Sequence, residues 1–405
     1  MTERMPEARS VSIGVWVDVG SRDEPDELAG ASHFLEHLLF KGTESRSARS
    51  IAVAVDAVGG ELNAFTTREH TAFYTRLPAG HLGFGLELLT DVVAAPAFRP
   101  HEVEAEREVI LDEILMSEET PDDVAMVKLN EALFPGHPLG RETLGSQETV
   151  ASLSRDVIAA FHAEHYRPSC LVVAAAGDLH HDEVVEAVSG FFEGAPAGAG
   201  PERTPPGEQL VPLTVVERPS EQVHYALGWR GPDHDDPDRY ALWIANQVVG
   251  GGMSSRLFQE IREERGLAYT VFTAPATYRG AGSLTLYAGT APGRLGELVE
   301  VVDAVLDDLV AHGITAEEHA VALGCIEGSM LLGLEDSASR MSRLGASEVT
   351  RREVIPVDEQ LRRVRAVPTE DVNRVLAEVL SGPRAAVVVG PLGADDPAVT
   401  RAVRA

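Results

Sequence analysis

The first clear pattern begins at Val11, where VSIGVWVDVG alternates apolar positions with small or polar ones. A period of two in a short run marks a β-strand whose two faces meet different surroundings. The same reading applies to GELNAF (60–65) and TAFYTRL (71–77), close enough to pair as a hairpin, and to CLVVAAAG (170–177). Between them the period becomes that of amphipathic helices in LAGASHFLEHLLF (28–40), SARSIAVAVDAVG (47–59), HLGFGLELLTDVVAA (81–95), PHEVEAEREVILDEILMSE (100–118) and SRDVIAAFHAEHY (154–166). Pro100 suits the first turn of its helix. Strands joined both by hairpins and by helices predict an α+β fold, in which a largely antiparallel sheet is packed with helices as an α/β sandwich, rather than a doubly wound parallel sheet.

The pattern occurs twice. FFEGAPAGAGPERTPPGEQLVP (191–212) has no period and is dense in Gly, Pro and Ala, so it reads as a linker between patterned halves. We therefore expect a first domain over 1–192, a linker over 193–212 and a second domain over 213–405. VSIGVWVDVGSRDEPDELA from Val11 aligns with VHYALGWRGPDHDDPDRYA from Val223, placing Asp23, Pro25, Asp26 and Ala29 on Asp235, Pro237, Asp238 and Ala241. Near the ends of the halves, Asp156, Val157 and Pro168 meet Asp371, Val372 and Pro383. One fold has been duplicated.

In this alignment His33, Glu36 and His37 fall on Ala245, Val248 and Val249. The fold asks for a helix there but not for two imidazoles and a carboxylate, so HFLEH needs a chemical explanation. Residues four apart on a helix lie about 40° apart around its axis, so His33 and His37 stack and can grip one ion. Glu36 can reach past such an ion toward a bound water. Zinc accepts imidazole and carboxylate donors in a tetrahedron with one position left for water, and H-x-x-E-H is a zinc-peptidase signature. A third ligand is required, and the helix over 100–118 is the best source. Glu106 and Glu113 recur there at helical spacing with Val103, Val109, Ile110 and Met116 and are expected to share their apolar stripe, where a carboxylate is costly unless paired or bound to a cation. Spacing alone leaves open which of the two touches the metal. His70 is a further, weaker ligand candidate. GGGMSSRLFQEIREERGLAY lacks GxxxxGK[ST] and follows a helix, so it is not a phosphate loop.

Composition adds exclusions. The net charge of −30, with lysine only at Lys41 and Lys128 and no basic block, argues against nucleic acid. No run of eighteen or more apolar residues suggests a membrane span, and Asp18 interrupts the best apolar run near the start, so a cytoplasmic protein without membrane or signal segments is expected. Cys170 and Cys325 have no metal or redox spacing and read as small buried apolar residues, leaving His and carboxylate to hold any metal.

The motifs GSRDEP, HFLEHLLFKGT, GGELNAFTTREHTAFY, EREVILDEI, HPLGRETLGS and GGGMSSRLFQEIREERGLAY together resemble the pitrilysin/insulysin metallopeptidases, the inverzincins, and within them the short branch that includes mitochondrial processing peptidase and its bacterial relatives. The resemblance covers nearly the whole chain. It implies a zinc endopeptidase with one Zn2+ per chain bound by His33, His37 and Glu113, with Glu36 as general base and Glu106 as the supporting acid. It implies that an extended peptide adds as a strand beside Asn63, Ala64 and Phe65, and that Arg262 and Tyr269 of the second half meet the substrate carbonyl. It further implies a homodimer with composite sites, in which Arg262 and Tyr269 act across the interface. Relatives begin with an extra strand before the segment matching VSIGVWVDVG; here ten residues precede Val11, so either the start is misassigned or the first sheet lacks an edge strand. Two rivals stand beside the peptidase: a catalytically silent scaffold subunit of the same fold, and a chain that uses zinc only as a structural staple.

Overall fold

The computed structural model describes residues 1–193 and 200–402. Residues 194–199 of the expected linker and 403–405 lie outside the described residues. Among the described residues ten strands form two sheets. The first contains β1 (Thr2–Arg4), β2 (Ser10–Val17), β3 (Glu61–Thr66), β4 (Thr71–Pro78) and β5 (Leu171–Gly177) in the order β1-β5-β2-β4-β3. The second contains β6 (Leu213–Glu217), β7 (Val223–Gly231), β8 (Ala268–Tyr278), β9 (Ala281–Thr290) and β10 (Arg384–Gly390) in the order β6-β10-β7-β9-β8. The two orders are the same, each sheet has one parallel pairing, β1 with β5 and β6 with β10, and all other pairings are antiparallel. The duplication read in the sequence is thus present in the topology.

The alternation in β2 divides its side chains between two cores. Val11, Ile13, Val15 and Val17 face a large cluster with Phe34, Leu35, Leu38, Leu89, Val103, Ile110 and Phe161. Trp16 faces the other way, into a smaller cluster with Ala72, Val172, Ala174, Met341 and Leu344. β2 is therefore buried on both faces, so the sheet is packed with apolar side chains on either side.

The second layer comes from far along the chain. The compact units are discontinuous: one comprises Met1–Leu115, Glu142–Glu202 and Leu331–Ile355, the other Met116–Arg141, Arg203–Met330 and Pro356–Ala405. Each half of the sequence lends the other one helix. Helix Ser337–Arg351 covers β2 and β5, with Ser337 Oγ 2.9 Å from the hydroxyls of Ser10 and Ser12. Gly345 is needed for the close approach, because a Cβ there would lie 2.0 Å from Trp16 Nε1. In the other unit, helix Pro121–Leu133 covers β7 and β10, burying Ala125, Leu129 and Leu133 against Ala226, Val387 and Val389.

Three expectations are corrected. The first sheet does have an edge strand: three residues suffice for β1, and Glu3 on it is pinned by Arg340 and by Arg343 Nη2 at 3.2 Å. Cys325 is exposed rather than buried, because its helix, Ala316–Gly333, is apolar around much of its girth and turns this side outward; Cys170 is buried as expected. On helix Pro100–Glu119 the inward stripe is Val103, Glu106, Arg107, Ile110 and Ile114, while Val109 and Met116 are exposed. The stripe follows the 3.6-residue period from Val103, which carries it past Val109 and Met116.

Candidate metal centre

The sequence HFLEH lies in helix Ala31–Leu39, whose Phe34, Leu35 and Leu38 enter the large core. That anchoring turns His33, Glu36 and His37 toward the helix Pro100–Glu119. There Arg107 links the two helices, its guanidinium 5.4 Å over the Phe34 ring and its Nη2 donating to Leu153 O at 2.8 Å.

The imidazoles of His33 and His37 are stacked edge to face with ring centres 4.8 Å apart. Glu113 Oε2 is 3.6 Å from His33 Nε2 and 3.6 Å from His37 Nε2. The ligand atoms of these three residues all lie within 4.8 Å of one another, and no other such group of His, Cys, Asp and Glu occurs among the described residues. Bonds of about 2.0–2.1 Å in a tetrahedron place ligand atoms roughly 3.3 Å apart, so the spacing fits a single divalent ion after a small contraction. Glu113, left open by spacing alone, joins the imidazoles, while Glu106 stands behind them. Burial, with His37 adding to it, pushes the His33 pKa down to about 4, so its ring is neutral and its lone pair available at pH 7.

Glu106 is buried at 5% exposure and uses both oxygens. Oε2 is 3.1 Å from His37 Nδ1, and Oε1 is 2.7 Å from Lys41 Nζ. A proton on Nδ1 leaves Nε2 of His37 free to face Glu113, the arrangement in which a carboxylate orients a metal-binding imidazole. Lys41 went unnoticed in the sequence, although its position four residues after His37, on a chain with two lysines, was a usable signal.

Glu36 is half-buried, and burial raises its pKa, opposed mainly by hydrogen bonding from Thr66. Thr66 ends β3, the free edge of the first sheet. Asn63 is exposed there, its Oδ1 accepting from Ala64 N at 2.8 Å; Ala64 packs on the large core, and Phe65 stacks on Trp16 with ring centres 5.5 Å apart. His70 stands apart from the metal group, 3.2 Å from Thr67 Oγ1 and packed against Trp16 and Phe65.

In the other unit Arg262 lies in a π-helical turn, Phe258–Glu264, and its guanidinium sits 4.5 Å over the ring of Tyr269 and 4.8 Å over Phe258. Tyr269 is 77% exposed at the start of β8, the free edge of the second sheet. Ala245, Val248 and Val249, the counterparts of His33, Glu36 and His37, are buried core residues. No helix among the described residues is long and apolar enough to cross a membrane.

Comparison with known proteins agrees with this architecture. Residues 1–147 match the family model described as insulinase, peptidase family M16, and residues 152–323 match the peptidase M16 inactive domain. A protein named "Uncharacterized zinc protease" from Mycobacterium leprae is 43% identical over 397 residues, covering 96% of this chain and 89% of its own. One of the same name from Bacillus subtilis is 37% identical over 393 residues, with 96% and 95% covered. Among solved structures, a protease from Helicobacter pylori matches with a TM-score of 0.90 at 22% identity over 96% of each chain. A peptidase M16 inactive domain from Pseudomonas fluorescens matches with a TM-score of 0.89 at 23% identity, over 98% of this chain and 96% of its own. At such identities the two structures speak for the fold alone.

Proposed function

Because this chain belongs to the insulinase family of peptidases, family M16, we propose that it is a zinc endopeptidase that cleaves extended or unfolded peptide segments, within the short branch that includes mitochondrial processing peptidase and its bacterial relatives. One observation carries the reading: His33, His37 and Glu113 converge within 4.8 Å, with Glu36 on the same helix.

His33, His37 and Glu113 would hold one zinc ion per chain, since two imidazoles and a carboxylate with a fourth position free suit that metal. When bound, the ion supplies Lewis acidity, polarising a peptide carbonyl and lowering the pKa of water to about 7. Glu36 takes the proton from the attacking water and delivers it to the departing amine; its burial, which raises its pKa, suits a group that must both accept and release a proton. Glu106, backed by Lys41, holds His37 in the tautomer that presents Nε2. The free edge of β3 accepts the peptide as an added strand along Asn63, Ala64 and Phe65, and main-chain bonding of this kind binds many sequences.

Arg262 and Tyr269 are assigned to the substrate carbonyl, where a cation and a phenol stabilise developing negative charge. Their stacked arrangement supports a pair that acts together. The assembly we favour is a homodimer in which the second half of one chain completes the metal site of its partner. The exposed free thiol of Cys325 is consistent with a cytoplasmic setting.

The deciding experiment incubates the protein with a mixed peptide library, with and without a chelator, and reads products by mass. Glu36→Gln is expected to keep its zinc and lose about 10²–10⁴-fold in rate. Parental hydrolysis by that variant would overturn the assignment, and chelator-insensitive hydrolysis would overturn the metal chemistry. Mixing inactive Glu36→Gln chains with inactive Arg262→Ala/Tyr269→Phe chains should restore activity through one repaired site per dimer; no recovery after verified subunit exchange refutes the shared site.

A further inference from the structure

Helix Ala31–Leu39 starts without a capping side chain of its own, for it is preceded by Gly30 at φ 95°. Its first amides are satisfied from upstream. Glu24 Oε2 accepts from Gly30 N at 2.9 Å, and Glu24 Oε1 accepts from Ser32 N at 2.7 Å. Glu24 is only 3% exposed. A carboxylate so deeply buried is costly unless fully bonded, and the amide end of a helix is where its charge is best accommodated.

Three further observations connect this clamp with the metal site. His33 Nδ1 has no hydrogen-bond partner among the described residues, whereas His37 Nδ1 is held by Glu106, so the place of the His33 ring depends on the placement of its helix. The loop that carries Glu24 is also bonded to the turn joining β3 and β4: Ser21 N donates to Thr67 O at 3.1 Å, Arg22 N donates to Arg68 O at 2.8 Å, and Arg22 Nη1 reaches Glu69 Oε1 at 2.6 Å. In the duplicated half, the counterpart of Glu24 is Asp236, which accepts from Asp238 N at 2.8 Å, just ahead of a helix bearing Ala245, Val248 and Val249 in place of the metal motif. The two-pronged clamp accompanies the copy with the chemistry.

We propose that Glu24 is a positioning residue of the metal site: its carboxylate fixes the first turn of the helix bearing His33, and its loop fixes that turn against the hairpin whose edge strand receives the peptide. The proposal rests on the metallopeptidase reading above. It is tested in the full chain with Glu24→Gln, which keeps the size and one carbonyl acceptor, and Glu24→Ala, which removes both.

Three quantities are measured: amide hydrogen exchange over 30–39 without metal, zinc affinity by chelator competition, and kcat and KM for a peptide. Glu24→Gln is expected to quicken exchange in the first turn, to weaken zinc binding about tenfold or more, and to lower kcat while leaving KM unchanged. Glu24→Ala should show the same changes enlarged; if it does not fold, Glu24→Gln alone decides. Unchanged exchange in Glu24→Gln overturns the positioning role whether or not zinc binds. Faster exchange with parental zinc affinity overturns its connection to the metal. A parent chain that binds no zinc sinks the metallopeptidase reading, and this inference with it.

Discussion

Replacing Glu106 by Gln probes the support of the metal site with little change in volume. In the native arrangement both partners of Glu106, Lys41 Nζ at 2.7 Å and His37 Nδ1 at 3.1 Å, donate to it. A glutamine has one oxygen, so its amide nitrogen must face one of these donors. Either a contact is lost, or the His37 ring takes its other tautomer and puts a proton on Nε2, the atom that faces Glu113. A hydrogen bond to a charged group contributes about 1.5–3 kcal/mol, and tenfold in affinity corresponds to about 1.4 kcal/mol. Metal affinity should therefore fall about 10–100-fold, the range found for partners of metal-bound imidazoles. Global stability should change less, by about 1 kcal/mol or below, because Lys41 is 34% exposed and can turn to water. Chelator competition beside denaturant unfolding of the metal-free chain separates the two effects. Parental metal affinity in Glu106→Gln would refute the role given to Glu106. A loss of affinity accompanied by an equal loss of metal-free stability would show that the residue acts on the fold instead.

Further outcomes follow from the same geometry. His33→Ala, His37→Ala and Glu113→Ala should each lower zinc content and abolish peptide cleavage; unchanged zinc in all three, measured by elemental analysis, refutes the ligand set. His162 is buried, and desolvation depresses its pKa to about 4 despite its bond to Val93 O, so below pH 6.5 the unfolded chain takes up a proton that the native chain does not. Its contribution is present above pH 6.5 and is lost as the pH falls toward 4, by about 3 kcal/mol in total; His162→Asn should flatten stability against pH in that window, and an unchanged slope contradicts this. Gly345→Ala drives a Cβ against the Trp16 indole and should destabilise the chain by about 1–3 kcal/mol. A parental melting temperature would show that helix Ser337–Arg351 is not packed as described.

How far the sequence could be read depended on how near the cooperating residues lie along it. His33, Glu36 and His37 share one helix, so spacing alone placed them together. Glu106 and Glu113 are seven residues apart on another helix, nearly in line around its axis but about 10 Å apart along it. Only packing against the metal helix determines that Glu113 meets the imidazoles and Glu106 the back of His37. The alternation of β2 revealed a strand with two different faces, but not that a helix some 320 residues downstream covers one of them. Cys325 was misplaced because a helix apolar around its girth gives no period from which to infer its inward side. Glu24 lies in the GSRDEP motif, but its capping role left no local signal, since it caps a helix from outside the helical pattern.

The loan of helix Ser337–Arg351 to the first sheet has a consequence for how the protein is made. The ribosome completes β5 at Gly177 about 170 residues before it completes that helix. At synthesis rates of about 5–20 residues per second, roughly 10–35 s pass in between. Throughout that interval Trp16, Ala72, Val172 and Ala174 lack the cover of Met341 and Leu344, and a fragment that stops short of this helix leaves the same apolar face open to water.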